Sequence, residues 1–184
     1  MAAMRNEHGF TLIELLVGLI VMAMLAVFAM PRLGALVQGN RVDAMVGDAA
    51  AEVAFALSEA ARRGLPVTVC PAAGAADACD AGGAWKDDWM IFVDVNGDGR
   101  FDAGDKLLRR RGGWGHGVSI GAHATYARLP RLTADVDGMF TGLPANARLV
   151  FDVPAAFTDI TRCLRFSNVE AESVTVRSGK GACA

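Results

Sequence analysis

Gly9-Phe10-Thr11-Leu12-Ile13-Glu14 opens an apolar run that continues to Met30, and the reading of that run decides the fold. From Phe10 to Met30 there are 21 residues, and Glu14 is the only charged one. At a rise of about 1.5 Å per residue, a helix of that length spans the roughly 30 Å hydrocarbon core of a bilayer. Residues 1–9, with Arg5, Glu7 and His8, precede it, and Pro31 and Arg32 follow it. A secretory signal peptide has a shorter apolar core, about 7–15 residues, with a small-residue cleavage site behind it. Here the run is longer, and the small residue, Gly9, stands in front of it. An ordinary signal anchor has no use for a carboxylate. A charge inside a membrane segment costs about 2.5–3.5 kcal/mol on insertion scales, which makes Glu14 a functional residue by default.

This stretch resembles the type III signal of type IV pilins and of type II secretion pseudopilins. The resemblance implies that a prepilin peptidase cuts between Gly9 and Phe10 on the cytoplasmic side, that Phe10 is then N-methylated, and that Glu14 is the assembly carboxylate. Elementary electrostatics agrees with that role. Cleavage creates a cationic amine at Phe10, and a carboxylate four residues on lies about one helical turn away. In a fibre of stacked subunits, Glu14 of one copy can neutralise the amine of its neighbour, so that both charges are compensated in apolar surroundings.

The totals are consistent with this. A chain of 184 residues, less a leader and a membrane helix, leaves a length typical of one domain. The formal net charge is −2, and removal of residues 1–9 leaves it unchanged because Arg5 and Glu7 cancel. Nucleic-acid binding would therefore need a local basic patch rather than a global one. All four cysteines lie beyond Pro66, which suits an oxidising compartment. With the Arg5-bearing leader held in the cytoplasm by the positive-inside rule, the C-terminal domain is expected in the periplasm of a bacterium, on a single-pass inner-membrane anchor.

Pro31 should loosen the helix at the membrane exit, because proline lacks the amide donor. Beyond it, Val42, Val46, Ala49, Val53, Leu57 and Ala60 recur at three- and four-residue spacing. Arg41, Asp43, Asp48, Glu52, Glu59 and Arg62 mostly point elsewhere. The end of this amphipathic helix is signalled by Arg62 and Arg63, by Gly64 as a left-handed cap, and by Pro66. From Leu65 the pattern changes to short β-like runs at 67–70, 89–93, 106–110, 118–120, 148–151, 162–166 and 174–177, with weaker ones at 128–133 and 136–140. The expected fold is α+β: a long kinked N-terminal helix packed on a largely antiparallel sheet domain. Its divisions are a leader at 1–9, a membrane and fibre-core segment at 10–30, an amphipathic continuation at 31–64 and a β-rich domain at 65–184.

The second half narrows the resemblance. Arg63-Gly64-Leu65-Pro66-Val67-Thr68-Val69-Cys70, then Cys79, Trp85 and Trp89-Met90-Ile91-Phe92-Val93-Asp94, is similar to the GspH/FimT-type minor pilins and pseudopilins. So are Leu107-Leu108-Arg109 after an Asp/Asn/Gly turn, and a cysteine next to the C-terminus. Four cysteines allow three pairings. Cys70 with Cys79 closes a short loop of small residues, Cys163 with Cys183 pins the tail to a strand, and these two bridges are the expectation. A zinc site would want a Cys-x₂-Cys pair, which the sequence lacks.

Residues 94–105 carry the sharpest chemical pattern. Asp94, Asn96, Asp98, Asp102 and Asp105 place side-chain oxygens at positions 1, 3, 5, 9 and 12 of an EF-hand-type loop, with Gly99 at position 6. Asp105 replaces the usual glutamate, which shortens its reach. Strand-like flanks and the turn preference of Asn, Asp and Gly support a hairpin turn instead. The loop is expected to be a calcium site or a plain turn, with no cofactor otherwise required.

Basic residues cluster at Arg109-Arg110-Arg111 and at Arg162, Arg165, Arg177 and Lys180. Some FimT-like minor pilins bind DNA through a C-terminal Gly-Arg-x-Arg motif. This chain departs from it, keeping only Arg177 and Lys180, with Glu170 and Glu172 nearby. No catalytic constellation is expected: His116 and His123 lack an evident partner, and no Gly-x-Ser-x-Gly or P-loop pattern occurs. Trp85, Trp89 and Trp114 read as packing residues.

The resemblance thus implies a non-enzymatic minor pilin that primes or joins a type IV pilus near its tip. Two alternatives are a DNA-binding tip subunit and a minor pseudopilin of type II secretion. The partners implied are other minor and major pilins or pseudopilins, the prepilin peptidase, the inner-membrane assembly platform, inner-membrane lipid before assembly and, in the second reading, DNA.

Overall fold

The computed structural model of the chain describes residues 10–74, 77–80, 82, 85, 87–113, 119–123, 129–143, 147–152, 160–167, 174–178 and 183. Helix α1 runs Leu12–Arg63, with Glu14 in its first turn and Arg62 and Arg63 in its last, the charge order that suits a helix dipole. Gly64 adopts φ 64° and its amide donates to the carbonyl of Ala60 at 2.9 Å, the left-handed cap expected from the Arg-Arg-Gly sequence. Among the described residues no single helix is long and apolar enough to cross a membrane. The pair Leu12–Phe28 and Leu33–Arg63, taken together across the break that contains Pro31, passes by length and composition.

The chain divides into two compact units, Met1–Val37 and Gln38–Ala184. In the second unit the rest of α1 is followed by β1 (Val67–Pro71), β2 (Trp89–Val93), β3 (Lys106–Arg111), β4 (Ser119–His123), β5 (Leu132–Ala134), β6 (Phe140–Thr141), β7 (Arg148–Asp152), β8 (Arg162–Phe166) and β9 (Val174–Ser178). They form two antiparallel sheets. One has the order β3-β2-β1-β5-β6, and the other β4-β7-β8-β9. Registers pair Val69 with Ile91 and with Leu132 in the first sheet, and Leu164 with Leu149 and Val176 in the second.

The buried stripe of α1 within this unit is Val42, Val46, Ala49, Val53, Ala56 and Ala60. Together with Val67, Val69, Ile91, Val93, Leu132, Leu149, Phe151 and Leu164 it forms the main core, so both sheets close on the same helix face. The stripe differs from the expected one at a single position. Ala56 is completely buried while Leu57 is half-buried at the core's margin, because a small residue lets helix and sheet approach. Strands β1 and β2 are buried along their whole length. Their alternate residues Cys70, Met90 and Phe92 form a second cluster with Cys79, Phe101 and Leu107. A strand normally covers one face; these two are covered on both.

Two weak strand expectations shift. The run at 128–133 becomes a strand only at Leu132–Ala134, with Arg128 outside the described residues. The run at 136–140 is mostly a turn: the Asp135 amide donates to the Met139 carbonyl at 2.6 Å and Gly138 takes φ 72°, leaving only Phe140–Thr141 as strand. The Asp-Val-Asp-Gly sequence at 135–138 carried that turn signal, and the Val–Phe spacing concealed it.

Candidate functional site

At the start of α1, Thr11 is the capping residue. Its amide and its hydroxyl both donate to Glu14 Oε2 at 3.0 Å, and the Glu14 amide returns a bond to Thr11 Oγ1 at 3.4 Å. This is a reciprocal capping box, legible as Thr-x-x-Glu in the sequence. It fixes the Glu14 carboxylate at the head of the helix, next to Phe10. Gly9 lies outside the described residues, so the cleavage point itself has no structural description. Downstream, the large apolar side chains of the first unit are uncovered: Leu12, Ile13, Leu19, Met22, Leu25 and Phe28 are each 64–81% exposed. A face of that extent on one helix is a surface that something else must cover.

The basic side chains behave differently from the expected phosphate-binding cluster. Arg111 pairs with Asp48 at 2.7 Å and Glu52 at 3.1 Å, and Arg109 reaches Glu52 at 3.2 Å while stacking 3.6 Å over the Phe55 ring. Arg110 turns the other way, to Asp77 at 2.9 Å and the Gly74 carbonyl. Arg162 holds Asp43 at 2.7 Å. The carboxylates of the helix thus take up Arg109, Arg111 and Arg162, and the alternating directions of a strand explain why Arg110 alone faces the loop. Arg177 lies in edge strand β9, its backbone opposite Cys163, and Lys180 lies outside the described residues. At the helix end, hydrogen bonds from Arg62 and then Arg63 hold the Glu59 carboxyl down to about 2.

Cys70 and Cys79 are joined by a disulfide, as are Cys163 and Cys183, with Cα–Cα separations of 5.6 and 5.7 Å. The first bridge sits in the second core cluster; the second ties residue 183 to β8. In the loop after β2, Asp94 is completely buried, Asn96, Asp98 and Asp102 are exposed, and Asp105 is half-buried. Thr68, which the sequence reading passed over, is also buried and donates to Asp94 Oδ2 at 2.8 Å. Among the described residues no three or more His, Cys, Asp or Glu side chains are grouped to hold a metal ion. Trp85 and Trp89 are buried, and the Trp85 indole donates to the Leu129 carbonyl at 2.7 Å. His116, Thr125 and Trp114 lie outside the described residues, and of His123 and Ser119 only the backbone, in β4, is described.

Comparison with known proteins places these features. Residues 46–170 match the family model described as type II transport protein GspH, and residues 4–30 match the prokaryotic N-terminal methylation motif. Two crystal structures of the Pseudomonas aeruginosa type IV minor pilin FimU share the fold, each at a TM-score of 0.54 and 16% sequence identity. The alignments cover 79% and 77% of this chain and 96% and 99% of those chains. A comparison with curated proteins returns no match.

Proposed function

The chain belongs to the GspH family, with an N-terminal methylation motif and a minor-pilin fold, and on that premise we propose that it primes or joins type IV pilus assembly near the fibre tip. The observation that carries this reading is the uncovered apolar face of α1 in the first unit, headed by a capped carboxylate. Such a face suits lipid first and other helices later. In this reading residues 1–9 are removed between Gly9 and Phe10 by a prepilin peptidase, and Phe10 is N-methylated. The segment 10–30 anchors the protein in the inner membrane with the remainder in the periplasm. An assembly platform then transfers it into the fibre. There the apolar face packs among neighbouring pilins, and Glu14 compensates the amine of an adjacent subunit. The role is structural rather than enzymatic.

A second reading, a minor pseudopilin of type II secretion, is supported by the description of the matching family model. A third, DNA capture through Arg177 and Lys180, draws only on the place of Arg177 in an edge strand. The deciding experiment is the yield of pili sheared from a strain lacking the gene, against a complemented control. Loss of pili supports the priming role. Normal pili with a secretion defect support the second reading. Normal pili and secretion, with a salt-sensitive mobility shift of DNA that Arg177→Ala abolishes, support the third.

A further inference from the structure

Asp94 ends β2 and has no accessible surface. Its Oδ2 accepts hydrogen bonds from the Gly99 amide and the Thr68 hydroxyl, each at 2.8 Å. Its Oδ1 is buried and has no hydrogen-bond partner. None of the ion pairs among the described residues includes Asp94. A carboxylate taken out of water with one oxygen unserved and no ion pair is disfavoured, so the position has a place for a cation.

The chain around it is folded in a way that would supply the other ligands. Asn96 Oδ1 accepts from the Asp98 amide at 3.1 Å, and Asp98 Oδ1 accepts from the Arg100 amide at 2.8 Å. Asp105 closes the loop, with Oδ1 on the Val95 amide and Oδ2 on the Asp102 amide, both at 3.0 Å. Asn96 Nδ2 meets Asp102 Oδ2 at 3.2 Å. These bonds tie the twelve-residue loop together, and the glycine at its sixth position takes φ 74°.

We propose that residues 94–105 bind a calcium ion, with the buried Oδ1 of Asp94 as the innermost ligand. Asn96, Asp98, Asp102 and Asp105 supply the other side-chain oxygens, and Arg100 supplies its carbonyl. A hard divalent cation that accepts six to eight oxygens in irregular geometry fits this set. Magnesium, which demands a tight octahedron, does not. The exposed carboxylates move inward when the ion binds, because they are not grouped beforehand. The ion supplies the charge that Asp94 lacks and fixes the loop that carries Phe101. That ring stands edge-on to Phe92, with centroids 5.2 Å apart, in the same cluster as the Cys70–Cys79 bridge. Calcium thereby stiffens the sheet face turned away from the helix. With aspartate at the last position, the affinity belongs in the range of extracellular calcium modules, about 10⁻⁴–10⁻³ M. The inference does not depend on the fibre role.

The test uses the full chain in detergent, stripped with chelator and titrated with CaCl₂ or MgCl₂ under calorimetry and thermal unfolding. At about ten times Kd, calcium should raise Tm by about 3–6 °C with a measurable heat, and magnesium should do neither. Asp98→Asn keeps the acceptor for the Arg100 amide but loses a charge. It should leave the chelated Tm in place while weakening calcium binding about tenfold. No heat and no shift at 10 mM CaCl₂, on the order of ten times the weakest affinity expected, overturns the proposal. So does unchanged binding by Asp98→Asn.

Discussion

The two halves of α1 differ in composition and have opposite surroundings: 21 of the 26 residues at 12–37 are apolar, against 14 of the 26 at 38–63. Up to Val37 the large hydrophobics are exposed, whereas from Val42 to Ala60 a stripe at alternating four- and three-residue spacing is wholly buried. The difference lies in pattern as well as in hydrophobicity. In the first half apolar residues go all the way round the helix, so no single domain face could cover them. In the second, charged residues restrict burial to one side, and Asp43, Asp48 and Glu52 meet arginines of the β-domain. An all-round apolar helix requires partners on all sides; an amphipathic one requires a single core.

The sharpest way to break this contrast is at Glu14. If its carboxylate compensates a neighbour's amine in the fibre, Glu14→Ala leaves a charge unpaired in apolar surroundings, a loss of about 3–5 kcal/mol. Incorporation into sheared fibres, read by immunoblot, should fall more than about tenfold, while leader cleavage continues. Next comes a pair of substitutions, one in each half. Val53→Asp puts an unpaired charge into the core and should cost about 3–5 kcal/mol in thermal or denaturant unfolding. Leu19→Ala should change the stability of the second unit by less than about 0.5 kcal/mol and show its effect only in assembly. Equal loss of stability in both would erase the distinction.

Within the β-domain, Cys70→Ser with Cys79→Ser should cost about 2–4 kcal/mol, measurable as a lower denaturant midpoint and absent when the variant and the wild type are compared under reduction. The smallest effect is at the helix end. Glu59 has its carboxyl held down to about 2, from 4.5, by Arg62 and Arg63. Its contribution is therefore present above about pH 4.5 and is lost as pH falls towards 2. Solvent screens this surface cluster, so Glu59→Gln should only slightly flatten the fall of Tm over that window.

Much of this was legible in the residues. The helix end at Arg63 and Gly64 and the strands at 89–93 and 162–166 stand where local patterns put them, because caps and alternating apolar residues act over a few positions. The capping role of Thr11 was equally local, and readable from Thr-x-x-Glu. The fate of the arginines was not. Arg109, Arg110 and Arg111 look alike in sequence, yet acids more than thirty residues away sort them to two sides of a strand. Burial of Ala56 in place of Leu57 likewise depends on how closely a sheet approaches.

By itself the sequence determined the family, the helix that leads the chain and the α+β class, since each depends on short-range spacing and on a motif read residue by residue. Only the tertiary structure decided that β1 pairs with β2 and β5, that the strands divide into two sheets, and that Asp94 is shut away from water with one oxygen unserved. Those outcomes follow from which distant segments bury each other's apolar faces. That is a property of the closed core, and no local stretch carries it.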